Sequence, residues 1–436
     1  MVRAAEVDGR LFALIIALGI SWVLFDIATA LIGQGGDSIF GGNFLTPRNL
    51  WNLSVQTTSI AIMATGMVLI IVSRNIDLSV GSLLGFLAMI MGLTQHSWLP
   101  EYLELGNPLI WIIALAVGII LGALIGALQG FLVAYLAVPA FIVTLGGLFI
   151  WRGMAFSLAQ GVTVAPLDEN FRLIGGGPTG SLGRLGVDLG IGSETLGWLL
   201  GIGITLVLIG VIVYARRRRR AFGFPVRPMW AEITIITVGS ILAIGSMWVA
   251  NSYPWPVRLA ERYAEEIGAI IPEGGLIFST GVAFPVLILF GVAAAMTYLS
   301  RRRAFGRYVY AIGGNPDAAE LSGINVRRTI LLTFVIMGVL VAIAAAVVSG
   351  RLNAAVNSLG QLNELYVIAS AVVGGTVLAG GIGTIPGAIL GALFIQTLQS
   401  GLVSINIDTQ GQNVVIGVVL VLAVLVDVQL RKRRQE

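Results

Sequence analysis

Residues 50–97 read LWNLSVQTTSIAIMATGMVLIIVSRNIDLSVGSLLGFLAMIMGLTQHS, with two long apolar runs on either side of a short polar break at 73–79. An α-helix needs about 20 mainly apolar residues to cross the hydrocarbon core of a bilayer, and the windows 50–72 and 78–97 have that length. The stretch therefore predicts two membrane-spanning helices joined by a tight hairpin.

The composition of the whole chain points the same way. Of its 436 residues, 57% are hydrophobic and 11% are charged, and the mean hydropathy is +0.93. A soluble globular protein is about 25% charged, so this chain lacks the charged residues that a water-exposed surface requires. These values exclude a secreted domain, a disordered chain and a cytosolic enzyme. They predict an all-α polytopic membrane protein.

Several kinds of site are excluded because residue types are missing. The chain has no cysteine, which excludes disulfides and thiolate metal sites, and His96 is its only histidine, which excludes a histidine-based metal cage. The only lysine, Lys432, lies in the basic tail 431–434, whereas a phosphate-binding GxxxxGK[ST] loop needs a lysine after its glycines. The chain therefore carries no Walker-type ATP site. Membrane topology explains the net charge of +4 without nucleic acid.

Twelve windows are long and apolar enough to be membrane-spanning helices. In chain order they are 11–32, 50–72, 78–97, 109–137, 139–158, 196–215, 230–250, 277–300, 329–349, 364–382, 385–403 and 413–430. The first follows a basic start and contains a small-residue triplet that fits signal-peptidase cleavage. Its apolar run is longer than a signal-peptide core, so we interpret it as a retained helix.

Arginine sets the orientation of these spans. With both termini in the cytoplasm, the basic clusters at 216–220, 301–303, 327–328 and 431–434 all lie inside, and most acidic residues lie outside. We interpret the arginine run 216–220 as a topology signal rather than a site for anionic lipid or nucleic acid.

Two external loops are long. Residues 159–195 are rich in glycine, proline and aspartate and are predicted to be irregular. Residues 251–276 contain an amphipathic helix over 257–266, which we interpret as a lid on the helix bundle rather than a membrane-surface anchor.

The spans hold no catalytic constellation. A nucleophile–base pair would need a histidine or a buried carboxylate beside a serine or threonine, and no metal cluster is visible, so a membrane enzyme is disfavoured. Asp26 is the only carboxylate placed by depth to bind a coupling ion. One acid is thin support for an ion-coupled secondary transporter, which nevertheless stays open.

Glycine recurs every four residues in the fourth window. This spacing places the glycines along one helix face and lets another helix approach closely, so we predict a packing role. The four residues are Gly118, Gly122, Gly126 and Gly130.

Two other glycine-rich stretches, 73–85 and 374–391, are predicted cytoplasmic hairpins that weakly resemble each other. Adjacent glycines disfavour helix by about 1 kcal/mol each. A broken helix is tolerated inside a membrane only where it is buried or lines a watery cavity. Paired broken hairpins in two halves of a chain point to a translocation pathway.

The cytoplasmic stretch 305–328 contains a predicted short helix. Pro316 and Asp317 suit its start and Gly323 its end. From composition alone, a docking element and an ordinary connecting loop are equally good interpretations.

Four stretches together carry a family resemblance: 76–82 (IDLSVGS), 138–145 (VPAFIVTL), 310–325 (YAIGGNPDAAELSGIN) and 374–383 (GGTVLAGGIG). They are similar to the permease subunit of bacterial ATP-binding-cassette (ABC) sugar importers, in the ribose, xylose and galactose permease group. The inserted span 230–250 resembles the xylose branch. The resemblance implies one permease domain over 1–436, with about 12 transmembrane helices and a fold like that of type II ABC importer permeases.

The resemblance also implies partners in the bacterial inner membrane. Two permease copies would form the pathway, a separate ATPase subunit would use ATP and Mg²⁺, and a periplasmic or extracellular binding protein would deliver the sugar. This chain would then bind no cofactor and perform no catalysis. The resemblance implies D-xylose as the substrate, with ribose, galactose, nucleosides, an autoinducer sugar or branched-chain amino acids as alternatives.

The resemblance maps the cytoplasmic coupling segment onto 313–325. The residues expected to couple to the ATPase are Gly313, Asn315, Pro316, Ala318, Ala319, Ser322 and Gly323. The candidates for the sugar pathway or its gate are Gln56, Asn75, Asp77, Ser79 and Thr376. For Asp77 an alternative is an N-cap of the third span, in which its carboxylate accepts N–H groups near Ser79 and Gly81.

Overall fold

The structure, a computed structural model, describes residues 9–33, 41–266, 268 and 277–435. These residues form helices and connections, and no β-structure beyond three isolated bridges occurs among them. The all-α prediction is confirmed. In chain order the helices are α1 Gly9–Leu31, α2 Pro47–Val72, α3 Val80–Leu93, α4 Leu109–Ala134, α5 Ala140–Ala159, α6 Glu169–Ile174, α7 Leu182–Asp188, α8 Thr195–Ala221, α9 Met229–Asn251, α10 Val257–Glu266, α11 Phe284–Arg302, α12 Ala304–Gly314, α13 Pro316–Leu321, α14 Val326–Leu352, α15 Asn363–Val373, α16 Ile385–Ser404 and α17 Thr409–Gln435.

Ten of the described helices are long and apolar enough to cross a membrane: α1 to α5, α8, α9, α11, α14 and α16. A π-helical turn, Thr94–Trp98, extends α3 to that length. The other two predicted windows coincide with the shorter helix α15, Asn363–Val373, and with α17, whose first part, Thr409–Leu422, is apolar. The window 364–382 is not one continuous span, because Gly374 and Gly375 follow Val373 and Gly375 adopts φ 92°.

Contacts divide the chain into two compact units. The larger unit consists of residues 14–44, 53–175 and 285–436, and the smaller one of 1–13, 45–52 and 176–284. The prediction of one permease domain over 1–436 stays a prediction.

The core of the larger unit is built around α2. Within its apolar window, 94% of the residues are buried, compared with 83% for the extended α3 and 61% for α14. Apolarity alone does not decide this position, because the window of α4 has a higher mean hydropathy, 2.8 against 1.9, and only 33% of it is buried. What distinguishes α2 is its polar residues, among them Gln56, Thr57 and Thr58, which a lipid-facing helix would expose to hydrocarbon.

The glycine stripe of α4 lies against other helices of the larger unit. A methyl group at Gly122 would overlap the carbonyl oxygen of Gly338, and one at Gly126 would overlap that of Phe334. Both carbonyls belong to α14, so the close approach of α4 and α14 depends on the missing side chains. The other two stripe residues also meet close neighbours, Gly118 at Met91 and Gly130 at Leu331.

The long loop 159–195 is more ordered than predicted. It contains α6 and α7, so the prediction of an irregular loop is wrong for those residues. Asp168 caps α6, because its Oδ1 accepts hydrogen bonds from Asn170 N at 2.9 Å and Phe171 N at 3.2 Å. Phe171 anchors the helix in the core with 0% exposure. Helices of six or seven residues leave too little periodicity to stand out in a glycine-rich sequence.

In the smaller unit, the amphipathic helix predicted over 257–266 is confirmed as α10. Its Tyr263 packs with Trp255 and Phe278 at ring-centroid distances of 5.3 and 6.2 Å. Tyr263 also donates a hydrogen bond to Asp188 of α7. This aromatic cluster holds α10 against its neighbours. The end of the predicted loop, at 267 and 269–276, lies outside the described residues.

Gly126→Ala should destabilise the protein by about 1–3 kcal/mol, because the new methyl group would force α4 away from the backbone of α14. The measurement is the thermal unfolding midpoint of the purified protein in detergent. Gly153→Ala in α5 is the control, since a Cβ there meets no atom within 4 Å. Equal midpoints for the two variants would contradict the packing role of Gly126.

Candidate functional site

The first hairpin, which we define as residues 73–79, connects α2 to α3. Arg74 adopts φ 64°, which reverses the chain just after α2. Asn75 then closes the turn, since its N–H donates to Ile70 O at 3.0 Å and its Nδ2 donates to Ser73 O at 2.9 Å. Asn75 is half-buried and holds the hairpin through local bonds.

Asp77 is the acceptor of a buried network. Its Oδ1 accepts hydrogen bonds from Ser79 N at 2.8 Å and from Ser79 Oγ at 2.7 Å. Ser79 Oγ in turn accepts from Gln129 Nε2 of α4 at 2.9 Å. Burial raises the pKa of the Asp77 carboxyl, and the two hydrogen bonds from Ser79 oppose that rise. The network fixes the start of α3, at Val80, to the middle of the larger unit.

Gln129 was missed as a candidate site residue. It is 4% exposed and is the only residue of α4 with a charged or amide side chain. A single amide among apolar residues and glycines is the signal that could have identified it, because a buried amide requires a partner. The Asp77 carboxylate accepts the backbone N–H of Ser79, as the capping interpretation expects. The N-cap residue of α3 is Ser79, however, so the placement of Asp77 at the N-cap is wrong.

The second hairpin, which we define as residues 374–384, connects α15 to α16. Gly375, Gly380 and Gly381 adopt positive φ of 92°, 90° and 78°, conformations that favour glycine. Thr384 caps α16 by accepting Gly387 N at 3.2 Å. Thr376 is 2% exposed, and among the described residues its Oγ1 finds no hydrogen-bond partner.

Gln56 lies apart from both hairpins. It is 16 residues before the end of α2, which corresponds to about 24 Å along a helix. Its Oε1 accepts a hydrogen bond from Gln396 Nε2 of α16 at 3.1 Å. The predicted pathway residues therefore fall into two groups, with Asn75, Asp77, Ser79 and Thr376 in the hairpins and Gln56 deep in α2.

Arg152 of α5 supports a third irregular stretch, residues 353–362. Its Nη1 donates to Asn357 O at 3.2 Å and to Leu359 O at 3.1 Å. This stretch packs on the first turns of α3, where a methyl group at Gly85 would lie 2.6 Å from Leu359 O. Arg152 is thus engaged in holding backbone carbonyls.

The predicted coupling segment 313–325 forms the end of α12, the helix α13 and the turn that follows. Asn315 caps α13 by accepting Ala318 N at 3.1 Å, Pro316 occupies the first turn, and Gly323 ends the motif with φ 83°. The predicted helix is confirmed. Leu321 is 90% exposed, whereas Ala319 is 4% exposed and anchors the helix. Ala318 and Ser322 are also exposed.

The two hairpins meet at the end of α12. Gly381 N donates to Val72 O at 3.0 Å, which joins the second hairpin to the end of α2. A methyl group at Gly313 would overlap Val72 O and would lie 2.5 Å from Gly381 N. Tyr310 Oη of α12 donates to Gly383 O at 2.7 Å. Burial raises the pKa of Tyr310, and the charge of Arg301 opposes that rise.

Within the part of the chain that the structure describes, no three His, Asp or Glu side chains come together as a metal site. The polar contacts described above instead hold backbone groups at the hairpins and at the end of α12. This arrangement can hold and move backbone, which suits a conformational role.

Asp77→Ala should lower stability by about 1–3 kcal/mol, because it leaves the buried Ser79 N–H and hydroxyl without their acceptor. Asp77→Asn keeps an acceptor oxygen and should lower the stability less than Asp77→Ala does. Thermal unfolding midpoints in detergent provide the measurement, with the exposed Glu101→Ala as control. The proposed role of the network would be wrong if Asp77→Ala unfolded at the same temperature as the control.

Comparison with known proteins identifies the family of the chain. The family described as branched-chain amino acid transport system / permease component matches residues 49–227 and 191–424. The xylose transport system permease protein of Haemophilus influenzae is 36% identical over 438 residues, covering 99% of this chain and 100% of that protein. The Escherichia coli K12 xylose transport system permease protein is 36% identical over 392 residues, or 90% and 88% of the two chains.

The ribose import permease protein of Escherichia coli K12 is 30% identical over 394 residues, which are 89% of this chain and 88% of that protein. No solved structure matches the chain at a significant level. A family match over most of the chain, together with full-length relatives above 30% identity, agrees with the many apolar helices. The chain therefore belongs to the permease-component family of these transport systems and is a multi-pass inner-membrane protein.

Proposed function

We propose that the chain is the membrane-spanning subunit of an ABC importer that moves a monosaccharide, D-xylose, into the cell. The observation that carries this proposal is the 36% identity to a xylose permease protein over 99% of this chain and 100% of that protein. The ribose permease protein is less similar, at 30% identity. Ribose and galactose are the alternative substrates within the same kind of importer.

The proposed partners follow from the family. An ATPase subunit hydrolyses ATP with Mg²⁺, and a binding protein supplies the sugar. A second copy of this chain completes the pathway, and membrane lipid surrounds the spans. The absence of a GxxxxGK[ST] loop from this sequence agrees with ATP hydrolysis on a separate subunit.

Both chain termini are placed in the cytoplasm in this proposal. Three segments that the arginine distribution assigns to the cytoplasm support it: the first hairpin, the end of α12 and the second hairpin. They contact one another directly, through Val72, Tyr310 and Gly381. Segments that touch lie on the same side of the membrane.

The coupling segment 313–325 is the proposed ATPase contact. Its helix α13 exposes Leu321 while Ala319 anchors the helix, and Ser322, the C-cap residue, is exposed as well. As the ATPase pair closes and opens, it moves α13, and the permease pair alternates between outward and inward openings. The residues of α13 act by docking and need no chemistry of their own.

The pathway residues have different roles in this proposal. Oδ1 of Asp77 accepts two hydrogen bonds from Ser79, and Asp77 is buried, so Asp77 and Ser79 shape the gate rather than bind sugar. The Asn75 side chain likewise donates a hydrogen bond within its own turn, to Ser73 O. Gln56 uses one carbonyl lone pair toward Gln396, and its amide group has further capacity for sugar hydroxyls. Thr376 offers a hydroxyl within the second hairpin.

A single cysteine at Leu321 should crosslink to the ATPase subunit in native membranes. The chain has no other cysteine, and Leu321 is 90% exposed on α13. The measurement is recovery of a Walker-motif protein bound to tagged Leu321→Cys after treatment with a short thiol–amine crosslinker. Tyr102→Cys is the matched control, since Tyr102 is 82% exposed in a loop predicted to be external. Equal recovery with both variants, or with neither, would contradict the docking assignment.

D-xylose should stimulate the assembled importer most strongly. In proteoliposomes that contain the permease, its ATPase and its binding protein, we expect D-xylose to raise ATP hydrolysis and to accumulate inside. Ribose and galactose at equal concentration are the controls. Stimulation by ribose alone would overturn the substrate assignment, and uptake without ATP would overturn the ABC importer assignment.

A further inference from the structure

The end of α12 is the meeting point of two segments that are far apart in the sequence. Arg74 of the first hairpin reaches α12 with two charge-assisted hydrogen bonds, from Nε to Gly313 O at 2.9 Å and from Nη2 to Gly314 O at 2.7 Å. The last carbonyls of a helix carry its negative dipole end and lack intrahelical partners. A guanidinium fork suits two such carbonyls better than any other side chain does.

The second hairpin is held to the same helix by a different residue. Tyr310, one turn before Gly313, donates from Oη to Gly383 O at 2.7 Å. The two residues therefore join different pairs of elements. Arg74 belongs to the first hairpin and donates to α12, whereas Tyr310 belongs to α12 and donates to the second hairpin. We call these two sets of side-chain hydrogen bonds the ties between α12 and the hairpins.

The first hairpin, the second hairpin and the end of α12 are closely packed at this junction. A Cβ at Gly380 would lie 2.5 Å from Arg74 Cγ and 3.1 Å from Gly313 O. Gly381 N also donates to Val72 O at 3.0 Å. Close-packed contacts of this kind transmit a displacement instead of absorbing it. Packing contacts transmit a push but not a pull, so a movement of α12 away from the hairpins is transmitted by the hydrogen bonds of Arg74 and Tyr310.

The other side of the junction is exposed. Immediately after Gly314, Asn315 caps α13, whose Leu321 is 90% exposed. A force applied to α13 thus reaches the junction through a single extended residue. The hairpins start α3 at Val80 and α16 at Ile385, so they sit where the buried helices α3 and α16 begin.

We propose that Arg74 and Tyr310 are positioning residues that tie the coupling segment to the first and second hairpins, so that one movement of α13 shifts both hairpins together. This inference rests on the proposed ABC importer function and deepens it. Losing either tie should uncouple ATP hydrolysis from sugar movement, because the ATPase still docks on α13 while one hairpin no longer follows.

The test uses the complete complex of permease, ATPase and binding protein in proteoliposomes. Sugar uptake and ATP hydrolysis are measured in the same preparation for Arg74→Ala and Tyr310→Phe. Arg74 already has φ 64°, so alanine meets the same backbone conformation. The change removes the two hydrogen bonds together with the packing of the Arg74 side chain beside Gly380. The matched controls lie on α12 and are partly or fully exposed: Arg307→Ala for charge and Tyr308→Phe for the hydroxyl.

We expect Arg74→Ala and Tyr310→Phe each to lower uptake per ATP hydrolysed about tenfold, a typical size for coupling between sites. Hydrolysis stimulated by the loaded binding protein should stay close to that of the unaltered complex, and both controls should behave like the unaltered complex. Arg74→Lys keeps the charge but not the planar fork, so it should give an intermediate ratio. In the double variant, the ratio of uptake to ATP hydrolysis should fall by less than the product of the two single reductions, since both residues support the same junction.

Two results would overturn the proposal. In the first, uptake and hydrolysis fall in proportion, which would make the residues structural supports only. In the second, the ratio of uptake to hydrolysis stays unchanged in both variants. Failure of the underlying function is distinguishable, because then the unaltered complex itself would show no sugar uptake driven by ATP hydrolysis.

Discussion

Each helix end leaves backbone N–H and C=O groups without intrahelical partners, and the structure depends on how it pairs those that lie where buried helices meet. At the second hairpin, Gly381 N finds Val72 O. At the end of α12, Arg74 takes two carbonyls. Glycine at these places is a consequence of the pairing, because a methyl group at Gly313 would overlap Val72 O. These helix ends are therefore fixed features of the fold.

The sequence predicts those elements whose signals are local. Long apolar runs predict the membrane-spanning helices, and Pro316 and Gly323 predict where α13 begins and ends. The amphipathic pattern of residues 257–266 predicts α10. The hydrogen bond from Ser79 N to Asp77 spans two residues and could be anticipated as a cap. The length of α15 could not be anticipated, because apolar residues continue past Val373 although two adjacent glycines end the helix there.

Long-range partners lie beyond this kind of reasoning. Gln129 is 50 residues from Ser79, and Arg74 is 239 residues from Gly313. Their pairing depends on the rotation and height of separate helices, which packing of the whole unit determines. Sequence can say that a lone amide in α4 needs a partner, but not which hydroxyl supplies it. The same limit explains why the predicted pathway residues separate into hairpin residues and the distant Gln56.

This separation bears on how a permease can move a sugar without holding it. Near the hairpins, Oδ1 of the strong acceptor Asp77 already accepts two hydrogen bonds from Ser79, and Asp77 is only 2% exposed, so a passing hydroxyl has little access to it. A gate built in this way offers little affinity of its own. In the proposed importer, affinity would then rest with the binding protein, and the permease would supply movement. A chain with few charges and many glycines suits that division of roles.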